Sequence, residues 1–368
     1  MSKLDNIRNC VLNIFKKTYN ISPQEEISVV TLTHLREKDF ITLRDKSKKA
    51  KLSVLVFLFD VFYFEPESKI SKQLLQFADL LKYYGIFNCN FFILSNFTNH
   101  NEETIKYLNK NFYDWKFFDF HIDFPFCYHY QKLETLDPVD SNLYLENSTM
   151  KFSHLNFTHR MHRQLFSKFL INEDLVNSNL VAINNYNDSP FLNKKDSKHK
   201  INQTDLLIGT ETADDWFYNK NLLNLYKNVD LTYHKHKDIT NNLNSPYLEF
   251  LSKSAIHIVS ESVFNYPFQY FSEKIISSLL SKRPFILIGP SQSLKYLKQK
   301  GFQTFETLFD ESYDAIDDPN QRLETIMKLV LKLNQKSQTE LNDMVYSAKE
   351  ILIHNYCLIL EKFKSFSK

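Results

Sequence analysis

The residues best suited to chemistry crowd into one block. Between positions 258 and 290 the chain reads Val259-Ser260-Glu261-Ser262, then Tyr270-Phe271-Ser272-Glu273-Lys274, then Arg283-Pro284-Phe285-Ile286-Leu287-Ile288-Gly289-Pro290. The apolar stretch Ala255–Ser260 predicts a strand, so Glu261 falls at its carboxyl end, where open α/β sheets place their ligands. Ser272 has the chemistry of an N-cap, which puts Glu273 and Lys274 in the first turn of a helix. A lysine there opposes the helix dipole unless an anion compensates it. A phosphate is such an anion, with Lys274 and the first-turn amides as donors. Glu273 can accept hydrogen bonds from a ribose diol. Two further groups stand apart. Arg160 and Arg163 are three residues apart at the start of a helical pattern, where they could equally bond to nearby surface acids. Asp60, Glu65 and Glu67 lie where the apolar run over 52–62 ends and are candidates for a general base. Glu65 lies between Phe64 and Pro66, apolar neighbours that would raise its pKa.

The elements that must position these residues alternate. The run over 52–62 predicts a strand buried on both faces, and a helical pattern over 70–84 stops at Gly85. A strand over 90–95, a helix over 102–110 and a strand over 115–122 continue a βαβ progression. Residues 133–150, with Pro138 and no clear period, read as a passage to a second domain. A helix from about Arg160 turns Leu165, Phe169 and Leu170 inward, and 184–204 reads as a polar loop. Strand, helix, strand, helix then recur over 255–260, 272–281, 284–288 and 291–300, with Gly301 as the stop. Two long helical patterns, over 320–334 and 339–366, end the chain. The domains expected are 1–150, 151–318 and 319–368, the last a set of helices packing back on the body.

Composition narrows the chemistry. The 368 residues suit two domains of roughly 150 residues each. The only glycines are Gly85, Gly209, Gly289 and Gly301, so no glycine-rich phosphate loop can be written. Phosphates would have to be held by side chains and helix N-termini. A formal net charge of +2 gives no field that by itself implies nucleic acid. Cys10, Cys89, Cys127 and Cys357 are scattered, which suggests free thiols and a cytoplasmic compartment. No apolar run reaches the ~18 residues of a membrane span, and no signal-peptide stretch opens the sequence. The Tyr233-His234-Lys235-His236-Lys237 run offers two histidines without a third ligand, and reads as a solvated strand edge rather than a metal site.

The block over 258–290 resembles the donor-site motif of the α-1,3-fucosyltransferases, and more closely fucosyltransferase-like proteins of bacteriophages and large viruses. The resemblance extends through Ser293-Leu294, Gly301-Phe302-Gln303-Thr304-Phe305, Asp310-Glu311-Ser312-Tyr313-Asp314 and Arg322, and upstream to Leu155–Arg163. It covers 151–325 well and the first 150 residues poorly. It implies a GT-B-like α/β fold, two Rossmann-like domains facing a cleft, with C-terminal helices. It also implies an inverting transfer from a nucleotide sugar that needs no metal ion or other cofactor. No Asp-x-Asp triplet occurs, in keeping with that. By the same resemblance Arg160 or Arg163 binds the donor diphosphate beside Lys274. Glu261, Ser262, Tyr270, Ser272 and Glu273 complete the donor site, and Glu65 or Asp60 is the base. The Asp310–Asp314 run is expected to be structural.

Three functions follow. The first is transfer of a sugar to a glycan. The second keeps the chemistry but moves the acceptor to a hydroxymethylated base in DNA, with the basic segments 46–51 and 194–200 against phosphates. The third is a binding protein that keeps the fold without turnover.

Overall fold

The computed structural model describes residues 26–31, 37–49, 52–57, 79–86, 89–95, 116–121, 147–156, 161–176, 179–183, 251–261, 263–265 and 271–367, with isolated positions elsewhere. The protein is a mixed α/β chain built on two parallel sheets. It divides into two compact units, Met1–Tyr128 and, for the most part, His129–Phe366.

In the first unit β1 (Glu26–Thr31), β2 (Leu52–Phe57), β3 (Cys89–Ser95) and β4 (Lys116–His121) lie side by side in chain order, all parallel. Helix α1 (Glu37–Ser47) turns Phe40 and Leu43 into the core and shows its charged residues to solvent. Residues 79–83 are helical and stop at Gly85, whose φ of +67° is costly for any side chain. The amides of Gly85 and Ile86 bond back to Lys82 O and Leu81 O and close that end. Neither β1 nor α1 is foreshadowed by the apolar pattern. The sequence Glu26-Ile27-Ser28-Val29-Val30-Thr31 is too short and mixed, and α1 is highly charged.

The second unit positions the site. Strands β5 (Met150–Asn156), β6 (Leu180–Ile183), β7 (Ser254–Ser260) and β8 (Phe285–Ile288) run parallel in the order β6-β5-β7-β8. The chain goes outward from β5 to β6 and returns past β5 to β7, so β5 and β7 flank a topological switch point. Every residue of β7 and β8 is buried, the habit of a parallel sheet covered on both faces. Helix α2 (Met161–Asn172) covers one face, with Phe166 edge-on to His154 and Ser167 Oγ accepting from Asn156 Nδ2. Helix α3 (Glu273–Leu280) covers the other, where the Ser278 hydroxyl donates to His257 Nδ1 at 2.9 Å. Leu165, Phe169 and Leu170 are buried, as the helical pattern predicts.

Strand β5 has no counterpart in the sequence reading, which ends its passage at 150 and assigns no strand to 151–156. Its Ser153, His154 and Asn156 break any apolar run, yet all are at most 3 % exposed. His154 and Asn156 are tolerated because each has a partner, Ile258 O for His154 and Ser167 Oγ for Asn156. His154 Nδ1 donates to Ile258 O, and Phe152 N donates to Asn179 Oδ1. Strand β6 is equally unforeseen, being only four residues long.

Helix α4 (Ser293–Gln299) ends at Gly301, with φ +91°. Its first amides, Leu294 N and Lys295 N, donate to the Asp314 carboxylate, because Gln292 makes no side-chain cap. Glu311 accepts from Phe305 N and Thr304 Oγ1. The Asp310–Asp314 run, which forms a 3-10 turn over Ser312–Ala315, is therefore occupied in holding backbone. Helices α5 (Pro319–Asn334), α6 (Gln338–Ser347) and α7 (Lys349–Ser367) complete the unit. The single helix expected over 339–366 is two. It breaks at Ala348, with no glycine or proline to mark the place. Lys151 Nζ donates to Asn334 O and Gln338 Nε2 to Ser148 Oγ, so α5 and α6 hold the amino end of β5. The carboxyl ends of the strands are left to the site.

Candidate donor site

At the carboxyl end of β7 the chain turns through Glu261 and returns at Ser272 to open α3. Ser272 is the N-cap: its backbone is extended and its hydroxyl accepts from Lys274 N at 3.3 Å. The local sequence dictates this, because a short hydroxyl can reach a first-turn amide that no helical carbonyl serves. Glu273 and Lys274 thus occupy the first turn, as expected.

Their side chains are the accessible part of the site. Lys274 Nζ lies 2.7 Å from Glu273 Oε1 and also donates to Ser272 Oγ at 3.2 Å. The Lys274 side chain is 20 % exposed and that of Glu273 is 30 % exposed. Burial pulls the Lys274 ammonium below the usual lysine range, against the support of Glu273 and, farther off, Glu261; the Arg163 charge adds to the downward pull.

Glu261 is different. It is wholly buried, and both carboxylate oxygens accept from Ser272 N, at 3.1 and 3.2 Å. Its amide donates to Ile288 O at the end of β8. Its carbonyl accepts from His162 Nε2 at 2.9 Å and from Arg163 Nη2 at 2.7 Å. One residue thereby joins α2, β7, β8 and the start of α3. Burial pushes its carboxyl upward, while Lys274 and the Ser272 bonds pull it back. Glu261 thus lies beneath the α3 N-terminus and supports the Ser272 amide from below.

Arg163 is also interior, 2 % exposed, and gives Nε and Nη2 to the carbonyls of Ser260 and Glu261. It fastens α2 to the end of β7. Arg322, in the first turn of α5, fastens that helix to Phe264, which follows β7. Its Nη2 donates to Phe264 O at 2.8 Å, its Nη1 to Ile316 O, and its guanidinium lies 4.4 Å over the Phe264 ring. The His162 ring stacks on Phe264 as well, with ring centroids 5.3 Å apart. His162 and the site-shaping role of Arg322 escape a reading by residue type, though both stand in segments that the motif spans.

Ser260 closes the strand with its hydroxyl buried and, among the described residues, without a hydrogen-bond partner. With Lys274, Ser277, Ser278, Ser153 and His257 it lines a cavity of about 40 Å³ between the sheet and α3. The structure brings together Arg163, Glu261, Ser272, Glu273 and Lys274. Arg160, Ser262, Tyr270 and the base candidates Asp60, Glu65 and Glu67 lie outside the described residues, as do the 194–200 segment and the His234/His236 run. Among the described residues no group of three or more His, Cys, Asp or Glu side chains is arranged to hold a metal ion. No helix among them is long and apolar enough to cross a membrane. Comparison with protein-family models, curated proteins and solved structures finds no match for this chain.

Proposed function

We propose that the protein is an inverting, metal-independent glycosyltransferase that moves a sugar from a nucleotide-sugar donor to a hydroxyl of a glycan. The observation that carries this reading is the capped N-terminus of α3 beside the switch point, with an ammonium in its first turn. First-turn amides and Lys274 together suit a diphosphate, and Glu273 suits the hydroxyls of a ribose. In a GT-B arrangement the acceptor hydroxyl attacks the anomeric carbon from the face opposite the diphosphate. The sugar–phosphate bond breaks as the new glycosidic bond forms, which inverts the configuration. The hydroxyl proton passes to a carboxylate of the first unit, for which Glu65 and Asp60 are the candidates. The departing diphosphate gains charge, and Lys274 with the helix amides stabilises it without a metal.

The test is incubation with a panel of nucleotide sugars, with donor hydrolysis or transfer followed by mass spectrometry, and calorimetry of the matching nucleoside diphosphate. The active donor's nucleotide should bind Lys274→Ala about 10- to 100-fold more weakly, the equivalent of a charged contact of about 1.5–3 kcal/mol. Equal binding by wild type and variant would reject the site. Binding without hydrolysis or transfer of any donor would favour a protein that keeps the fold without turnover.

A further inference from the structure

The Glu261 carbonyl collects three N–H groups from the first turn of α2: His162 Nε2 at 2.9 Å, Arg163 Nε at 3.2 Å and Arg163 Nη2 at 2.7 Å. Arg163 Nη2 also reaches Ser260 O at 3.0 Å. A guanidinium gives its donors in a rigid planar fork, so two successive carbonyls held this way fix the backbone direction through residue 261. The same residue sends its carboxylate to the Ser272 amide, the N-cap of α3. The body of α3 is anchored separately, by Ile275, Ile276, Leu279 and Leu280 in the core. Its first turn, which carries Lys274, is tied to β7 through Glu261. Arg163 itself is 2 % exposed, and it reaches Lys274 in two ways, through Glu261 and through its charge.

We propose that Arg163 is a positioning residue for Lys274: its fork sets Glu261, and Glu261 sets the first turn of α3. The inference rests on the donor-site reading above for its purpose, and on the hydrogen bonds alone for the linkage. Without the fork the backbone at 261 loosens, the carboxylate lets go of the Ser272 amide, and the Lys274 ammonium loses its fixed place. Geometry and charge are separable here. A lysine at 163 keeps the charge but has no fork, and a methionine keeps an apolar stem and has neither. The charges around Lys274 are Glu273 and Glu261, which support its proton, and Arg163, which opposes it. Removing the Arg163 charge therefore raises the Lys274 ammonium.

Hydrogen exchange of the full chain, read by mass spectrometry, compares wild type with Arg163→Lys and Arg163→Met. Peptides covering 272–276 should exchange on the order of tenfold faster in both variants, while those covering α5 and α6 stay as slow as in wild type. Calorimetry with nucleoside diphosphates should show Arg163→Lys about threefold to tenfold weaker than wild type. Combined with Lys274→Ala, it should bind no more weakly than Lys274→Ala alone, because the one residue acts through the other. The alkaline limb of nucleotide binding should move to higher pH in Arg163→Met and stay in place in Arg163→Lys. A role confined to folding moves neither. Unchanged exchange at 272–276 would overturn the positioning role, and losses that then multiply in the double variant would make Arg163 a phosphate contact itself. Faster exchange throughout, α5 and α6 included, in both variants would overturn it as well, since Arg163 would then serve the whole fold. Faster exchange at 272–276 alone, with no nucleotide bound even by wild type, would uphold the linkage and reject the donor site.

Discussion

At the scale of single residues, the lesson of the site is depth. The sequence names Glu261 and Arg163 by type, and a carboxylate at a strand end beside an arginine suggests groups that meet a ligand. The structure buries both, and their polar atoms serve backbone: Glu261 takes the Ser272 amide, and Arg163 takes two carbonyls. A single sequence carries no measure of depth, so only Ser272, Glu273 and Lys274 were legible with their geometry. Capping is a local rule, whereas burial depends on α2 and β8, which lie far away in the chain. The buried carboxylate still acts on the site through charge. Lys274 is lowered mainly by burial, and Glu261 is one of the two groups that support its proton. Removing that charge must lower the ammonium further. Below the folded pKa of Lys274 the ammonium binds an anion, and that binding is lost as pH rises through it. Glu261→Gln keeps an acceptor for the Ser272 amide, so its alkaline loss of pyrophosphate binding should begin at lower pH than in wild type. Titration of the dissociation constant between about pH 7 and 10, below the ordinary lysine value, reads this directly. Coincident alkaline limbs would refute an electrostatic role for Glu261.

At the scale of elements, what could be read ahead was whatever combined an apolar run with an end signal. Strand β7, helix α3 with Ser272, strand β8 and helix α4 with Gly301 all did. Strand β5 did not, because its interior is polar, and its burial depends on partners that only the folded sheet supplies. The α6–α7 break at Ala348 has no residue of special backbone chemistry to reveal it. Those polar residues give the second sheet a pH dependence. His154 and His257 are interior and neutral: His154 Nδ1 donates to Ile258 O, and His257 Nε2 donates to Leu251 O. Burial lowers His154 to about 4 and His257 to about 3. Both are thus depressed below the unfolded value near 6.5. Their contribution is fully present above that pH and is lost as pH falls toward the folded values. At pH 5 each should have cost about 2 kcal/mol, at 1.36 kcal/mol per unit. Glu261, Glu311 and Asp314 are shifted up by burial and work in the opposite direction. A variant therefore isolates the histidine. His154→Gln keeps a side-chain N–H but cannot titrate, so its stability should fall by about 2 kcal/mol less than wild type between pH 7 and 5. Urea melts followed by circular dichroism at the two pH values would show it, and parallel losses would mean His154 is not held neutral.

At the scale of the whole molecule, charge and leaving-group chemistry decide which acceptor and which conditions to expect. The chain carries 45 Lys and Arg against 43 Asp and Glu. A protein that held duplex DNA would need a concentrated basic surface, because phosphate contacts supply most of the sequence-independent affinity. Of the first basic segment, Lys46, Lys48 and Lys49 are described. Lys46 is in the last turn of α1 and Lys48 and Lys49 follow its end, and Lys46 Nζ already donates to Ser28 Oγ at 3.3 Å. Among the described residues that is a thin footing for a duplex, whereas a glycan is recognised by hydroxyl groups and needs no such field. With the active donor, labelled sugar should therefore reach oligosaccharide acceptors and not duplex DNA containing 5-hydroxymethylcytosine. Transfer to that DNA which requires the hydroxymethyl group and falls steeply with salt would reverse the choice. The same assay tests the leaving-group argument. If Lys274 and the α3 amides are what stabilise the diphosphate, turnover should be unchanged in excess EDTA and should collapse in Lys274→Ala. Loss of turnover on chelation, recovered with Mg²⁺ or Mn²⁺, would instead assign that stabilisation to a metal. An acceptor switch and a metal requirement are separate failures, since the first leaves the α3 site intact and the second removes its reason for holding a lysine.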